Sequence, residues 1–194
     1  MEWFPEAKDG VLLAFRLLGA SPLQDEDPVT QAARNLLGRV DADVAFAIAR
    51  ESLAEPEAGL GVALWLLPRP SHAREQDALL VPLFLPAARR MLSHPDPEVR
   101  QFGVESVARG PRDEAVQVLR DLLAGRILRM EGVPAATAPA EDPRVIERAV
   151  FALLRLGDRE SLPRMREIAA TWSAEKRAEF EEAVAQPESP DPDK

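Results

Sequence analysis

The sequence predicts an all-α fold, and three observations carry that expectation. Alanine, leucine and arginine dominate, aromatics make up only 5% and tyrosine is absent. Such a composition favours helices, because unbranched side chains lose little rotamer freedom there. Alternating runs of β-branched and aromatic residues, the mark of strands, are missing. Acid-proline pairs recur at Asp27-Pro28, Glu55-Pro56, Asp96-Pro97 and Asp142-Pro143. Asp is a good N-cap, and proline in the first turn loses nothing because its missing N–H would be unpaired anyway, so each pair reads as a helix start.

Apolar spacing fills in the elements between these starts. The sequence predicts ten helices, near 5–19, 28–39, 43–54, 57–68, 74–92, 96–109, 112–124, 142–156, 158–171 and 174–186. The first holds Val11, Leu12, Leu13, Ala14 and Phe15. The second and fourth follow Asp27-Pro28 and Glu55-Pro56, and the fourth places Trp65 beside Val62 and Leu66 on a mostly apolar segment. In the fifth, Pro86 interrupts an otherwise helical run. In 96–109, Val99, Phe102, Gly103, Ser106 and Val107 form a small-residue stripe suited to close packing. Ala115, Val118, Leu119, Leu122 and Leu123 repeat the pattern in 112–124, where the alternative is a helix running on to about residue 130. In 142–156, Val145, Ala149, Leu153 and Leu156 form the stripe, and Ile146, Val150 and Leu154 widen it. Such breadth predicts packing on more than one side. The final helix has a small apolar set, Phe180, Ala183 and Val184, and an acidic outer side of Glu175, Glu179, Glu181 and Glu182.

The organisation is repetitive. Asp96-Pro97-Glu98-Val99 aligns with Asp142-Pro143-Arg144-Val145 under a shift of 46 residues, which also brings Val107 onto Leu153 and Leu119 onto Met165. The expected layout is one domain over 1–186, a long Ala-, Pro- and Gly-rich loop at 125–141, and a disordered acidic tail at 187–194.

The composition excludes several kinds of chemistry. With no cysteine there are no disulfides, thiolate nucleophiles or zinc-thiolate sites. His72 and His94 are far apart, and structural roles are expected for both. No cofactor, metal site or catalytic set is expected. Arg16 breaks the N-terminal apolar run and acids precede it, which argues against a signal peptide. No stretch approaches the roughly 20 apolar residues a bilayer span needs, and a cytoplasmic protein is expected. Residues 1–56 carry a net −5, residues 57–172 balance to zero and residues 173–194 carry −4, within a total of −9. An acidic chain without a basic block is a poor match for phosphate backbones.

The run Leu83-Phe84-Leu85-Pro86-Ala87-Ala88-Arg89-Arg90-Met91-Leu92, then Ser93-His94-Pro95-Asp96-Pro97-Glu98-Val99-Arg100, resembles a HEAT repeat, notably the bacterial phycobilisome-lyase type. Leu156-Gly157-Asp158-Arg159-Glu160-Ser161-Leu162-Pro163 is similar to the family's turn and first-helix opening. The resemblance covers residues 27–170 and implies an α-solenoid of about five antiparallel helix pairs: 5–39, 43–68, 74–109, 112–156 and 158–186. Thr30 and Ile146 depart from the arginine that Arg100 matches, and His94 stands where the family often has aspartate. The resemblance therefore implies the packing but no continuous Asp/Arg ladder.

Two arginine groups are the candidate partner-binding residues. Arg144, Arg148 and Arg155 fall on one helix face and could grip an acidic partner, or form a solvated face partly neutralised by Glu141 and Glu147. Arg120, Arg126 and Arg129 cluster where 112–124 gives way to the loop, beside Ile127, Leu128 and Met130. Trp3, Trp65 and Trp172 read as packing residues, Trp3 and Trp172 closing the two ends. The resulting expectation is a non-catalytic protein-protein interaction module, an adaptor or scaffold, with another protein as its partner and neither nucleic acid nor membrane. Two alternatives stay open: an accessory subunit of a lyase-type enzyme, and a nucleic-acid-binding HEAT-like protein.

Overall fold

The structure is a computed structural model that describes residues 5–20, 27–66, 81–127 and 141–185. Over these residues the chain forms ten α-helices and no strand: α1 (Pro5–Ala20), α2 (Pro28–Leu37), α3 (Ala42–Ser52), α4 (Pro56–Leu66), α5 (Val81–Leu92), α6 (Pro97–Val107), α7 (Arg112–Leu123), α8 (Pro143–Arg155), α9 (Leu162–Ala169) and α10 (Ala174–Ala185). The expected first part of the fifth helix, the loop beyond residue 127, the tail, Trp3 and His72 lie outside the described residues.

Three of the four acid-proline pairs start helices for the expected reason, the Glu55 carboxylate being held by Arg16 instead. The Asp27 carboxylate accepts from the Thr30 amide at 3.0 Å, Asp96 from Glu98 at 2.8 Å and Asp142 from Arg144 at 2.8 Å. Asp41 does the same for α3, accepting from Asp43 and Val44. The bond from the Thr30 amide is the main cause holding the Asp27 carboxyl below its ordinary range.

The ends of α7 and α8 are set by glycine. Gly125 has φ +68° and Gly157 φ +72°, a left-handed conformation that costs other residues about 1–2 kcal/mol. The Arg126 amide donates to the Asp121 carbonyl and the Asp158 amide to the Leu153 carbonyl, each at a reach of five residues. This is the Schellman closure of α7 and α8. It rules out the alternative in which 112–124 continues toward residue 130. It also explains why α9 starts at Leu162 and not near residue 158. Asp158 to Ser161 are spent on a turn, in which the Asp158 carboxylate accepts from the amides of Glu160 and Ser161.

Most packing joins helices that lie near one another in the chain. α1 lies most extensively against α4, and also touches α2 and α3; α4 packs on α5, α5 on α6, α6 on α8, α7 on both α6 and α8, and α10 on α8 and α9. Among the described residues, substantial helix packing joins only helices within three places of each other in the order given. A continuous set of buried side chains runs through these contacts, including Phe15, Leu66, Leu92, Leu119, Leu153 and Phe180. Burying each contributes about 1.5–3 kcal/mol.

Close approaches make the packing specific. A Cβ on Gly61 would lie 1.8 Å from the Phe15 carbonyl oxygen, so α4 touches the α1 backbone only because that residue is glycine. Trp65 rests on Phe15 and Phe46, with ring centroids 5.4 and 5.2 Å away. Trp172 stacks on Phe151 at 5.9 Å and meets the Phe180 edge at 6.1 Å. Phe102 departs from the expected stripe. The buried face of α6 is centred between Val99, Arg100, Gly103, Val104 and Val107, which turns Phe102 outward to 58% exposure.

Candidate partner-binding surface

The two arginine groups read from the sequence are engaged within the chain. On α8, Arg148 donates to Gln101 Oε1 at 2.9 Å and to Glu105 Oε1 at 3.2 Å, and Arg155 reaches Glu105 Oε2 at 3.3 Å. The spacing therefore does bring these two together, around one carboxylate of α6. Arg144 stays apart, pairing with its own N-cap Asp142 at 3.2 Å. That pair raises Arg144 above its ordinary value and holds Asp142 below its own. Glu105 is the neutralising acid, whereas Glu141 binds Arg100 and Glu147 binds Lys176. Sequence distance misled here, because the nearest carboxylate in space comes from an earlier helix.

Arg120 and Arg126 take different partners. The Arg120 guanidinium takes both oxygens of Asp158, at 2.5 and 3.0 Å, and Glu160 at 2.9 Å. A two-point guanidinium-carboxylate contact of this kind is among the stronger polar interactions. Burial pushes the Asp158 carboxyl up, but hydrogen bonds from Arg120 and Ser161 outweigh it and leave the group below the ordinary range. Hydrogen bonding to Asp158 likewise raises Arg120. Arg126 is mostly exposed and lies 3.4 Å from Asp121. Ile127 packs partly against the core. Arg129, Leu128 and Met130 lie outside the described residues.

Other charges also tie successive helices. Arg100 is only 4% exposed. It donates to Glu141 at 2.7 and 2.9 Å and to the carbonyls of His94 and Pro95 at 2.7 and 2.6 Å. Arg112 donates to the Leu156 carbonyl at 2.7 Å. His94 Nδ1 accepts from the Asp96 amide at 3.0 Å, and burial lowers the imidazole below its ordinary value. No cluster of three or more His, Asp or Glu side chains among the described residues could hold a metal ion. No described helix is long and apolar enough to cross a membrane.

One cationic feature escaped the sequence reading. The C-terminal ends of α3 and α5 enclose a groove of about 480 Å³ lined by Arg50, Leu53, Ala54, Pro86, Arg89, Arg90 and Ser93. Arg90 Nη2 donates to the Ala54 carbonyl at 2.7 Å, and its Nε is buried without an acceptor. A signal existed: none of these three arginines has an acid three or four residues away on either side, so no neighbour on its own helix could neutralise it. Comparisons with family models, with curated proteins and with solved structures found no match to this chain.

Proposed function

We propose that the chain is a short α-solenoid of HEAT-like helix pairs, a single domain over 1–186, that works in the cytoplasm as a non-catalytic protein-binding adaptor or scaffold. The observation that carries this reading is the serial pattern of ties. Arg16 meets Glu55 39 residues away, Arg100 meets Glu141 at 41, Arg120 meets Asp158 at 38 and Arg148 meets Glu105 at 43. Each distance is about one helix pair, so each bond joins a unit to the next. Helix pairs that cannot cover their apolar faces alone do so on their neighbours, and the stack then presents a long continuous surface.

The use of buried polar groups supports a binding role over a catalytic one. Catalysis draws on titratable groups poised for chemistry. Here Thr30 bonds the Asp27 cap, Ser106 donates to the Phe102 carbonyl, Arg100 holds Glu141 and Asp158 holds Arg120. These are four of the five buried polar or charged residues among those described, Ser52 being the fifth, and all four are engaged in architecture.

Crosslinking of the tagged chain in its own cells, followed by mass spectrometry and reconstitution by size-exclusion chromatography, tests the proposal. A stoichiometric complex with crosslinks on the helical surface is expected. Turnover of a small molecule by the purified chain, with no protein partner reconstituted, would overturn it.

A further inference from the structure

We infer that the groove between the ends of α3 and α5 is the docking site for a short acidic segment of a partner protein, rich in carboxylates and carrying apolar residues between them. The inference rests on the protein-binding reading above and gives it a location and a partner chemistry.

Charge carries the argument. Arginines elsewhere on the described surface, such as Arg120, Arg144, Arg148 and Arg155, hold carboxylates of the same chain. The two acids closest in sequence to Arg50 are taken by other cations, Glu51 by Lys8 at 2.5 Å and Glu55 by Arg16 at 3.0 Å. Among the described residues, no acidic side chain lines the groove. Arg50, Arg89 and Arg90 do sit in the last turns of their helices, where cations complement the helix dipole. Two helix ends supply only about −0.5 each, against three full positive charges. The groove keeps a surplus of about two positive charges.

Arg90 supplies an independent observation. Its Nη2 bond to Ala54 fixes the guanidinium against the groove wall, while the buried Nε lacks an acceptor. That Nε lies against Gly59, so what Arg90 offers a carboxylate in the groove is its positive charge and its remaining guanidinium donors. Leu53, Ala54 and Pro86 add an apolar lining, which suits a peptide better than a bare anion. A nucleic acid fits poorly, because residues 1–56 carry a net −5 and would repel a polyanion extending past the groove.

Fluorescence anisotropy of the full chain at low salt, with a short labelled peptide of glutamate and leucine, tests the site. The comparison probes are its glutamine counterpart, inorganic phosphate and a single-stranded DNA oligonucleotide. The glutamate peptide is expected to bind and the glutamine peptide to fail. Arg50→Glu with Arg89→Glu is expected to weaken binding by about tenfold or more. Arg148→Glu with Arg155→Glu is expected to leave it unchanged. Should charge reversal lower the melting temperature, Arg50→Gln with Arg89→Gln replaces it, with the same expectation. Equal binding by wild type and groove variant, no binding by wild type, or displacement by phosphate or DNA at the peptide's own concentration would overturn the groove. Loss of binding only in the Arg148/Arg155 variant would also overturn it while leaving the protein-binding reading intact. Failure to reconstitute any complex after crosslinking would strike the broader reading instead.

Discussion

Asp158 joins a helix end, a turn and an ion pair in one residue. It follows the Gly157 turn, caps the turn into α9 and receives Arg120 from α7. Its side chain is 1% exposed while that of Arg120 is 32% exposed, so the carboxylate depends on partners that the guanidinium could replace with water. Asp158→Ala should cost about 2–3 kcal/mol in chemical denaturation, near the low end for breaking a buried pair. Asp158→Asn should cost less, since it can still accept from the turn amides. The pH dependence follows from the lowered carboxyl. The unfolded state binds the proton first, so the contribution is complete above the unfolded value near 3.9. It is lost as pH falls through the lower folded value. Melting temperature should therefore drop below about pH 4, and the drop should be smaller in Asp158→Asn. An unchanged acid profile in that variant would remove Asp158 from the account.

At the level of the element, local rules were readable in the sequence wherever chemistry acts over a few residues. The aspartate caps at Asp27, Asp96 and Asp142 depend only on the carboxylate and the first-turn amides, so the acid-proline pairs located these starts. The start of α9 was misread because it depends on the positive φ of Gly157 and on Asp158 turning inward. Phe102 was misplaced because a spacing rule cannot say which edge of a broad apolar stripe meets the neighbour. Gly61 shows the same limit. Its necessity comes from Phe15, 46 positions earlier, whose backbone would meet an added Cβ at 1.8 to 3.0 Å. Backbone cannot swing aside as a side chain can. Gly61→Ala should lower stability by about 3 kcal/mol or more, the upper end for overpacking, measured by denaturant titration. A loss below about 1 kcal/mol would mean that α1 and α4 lie further apart than described.

For the whole molecule, the all-helical class was legible from composition and from the helix starts at the recurring Asp-Pro pairs. The candidate surface was legible only in part. Arg148 and Arg155 do meet, but on Glu105, and sequence spacing says nothing about acids arriving from another helix. The Arg50, Arg89 and Arg90 groove needs two helices separated by α4 to come together, so no single window of sequence contains it. Both outcomes reflect the same arrangement, in which charge contacts run between different helices, the helix pairs of the proposed stack being its units. If the units are coupled mainly to their neighbours, a local weakening should stay local. The most direct measurement is native-state hydrogen exchange, read by mass spectrometry, on Gly61→Ala and Asp158→Ala beside the wild type. The account predicts that Gly61→Ala speeds exchange in α1 to α4 and spares α8 to α10, and that Asp158→Ala does the reverse. Equal acceleration of all ten helices in both variants would contradict a serial stack.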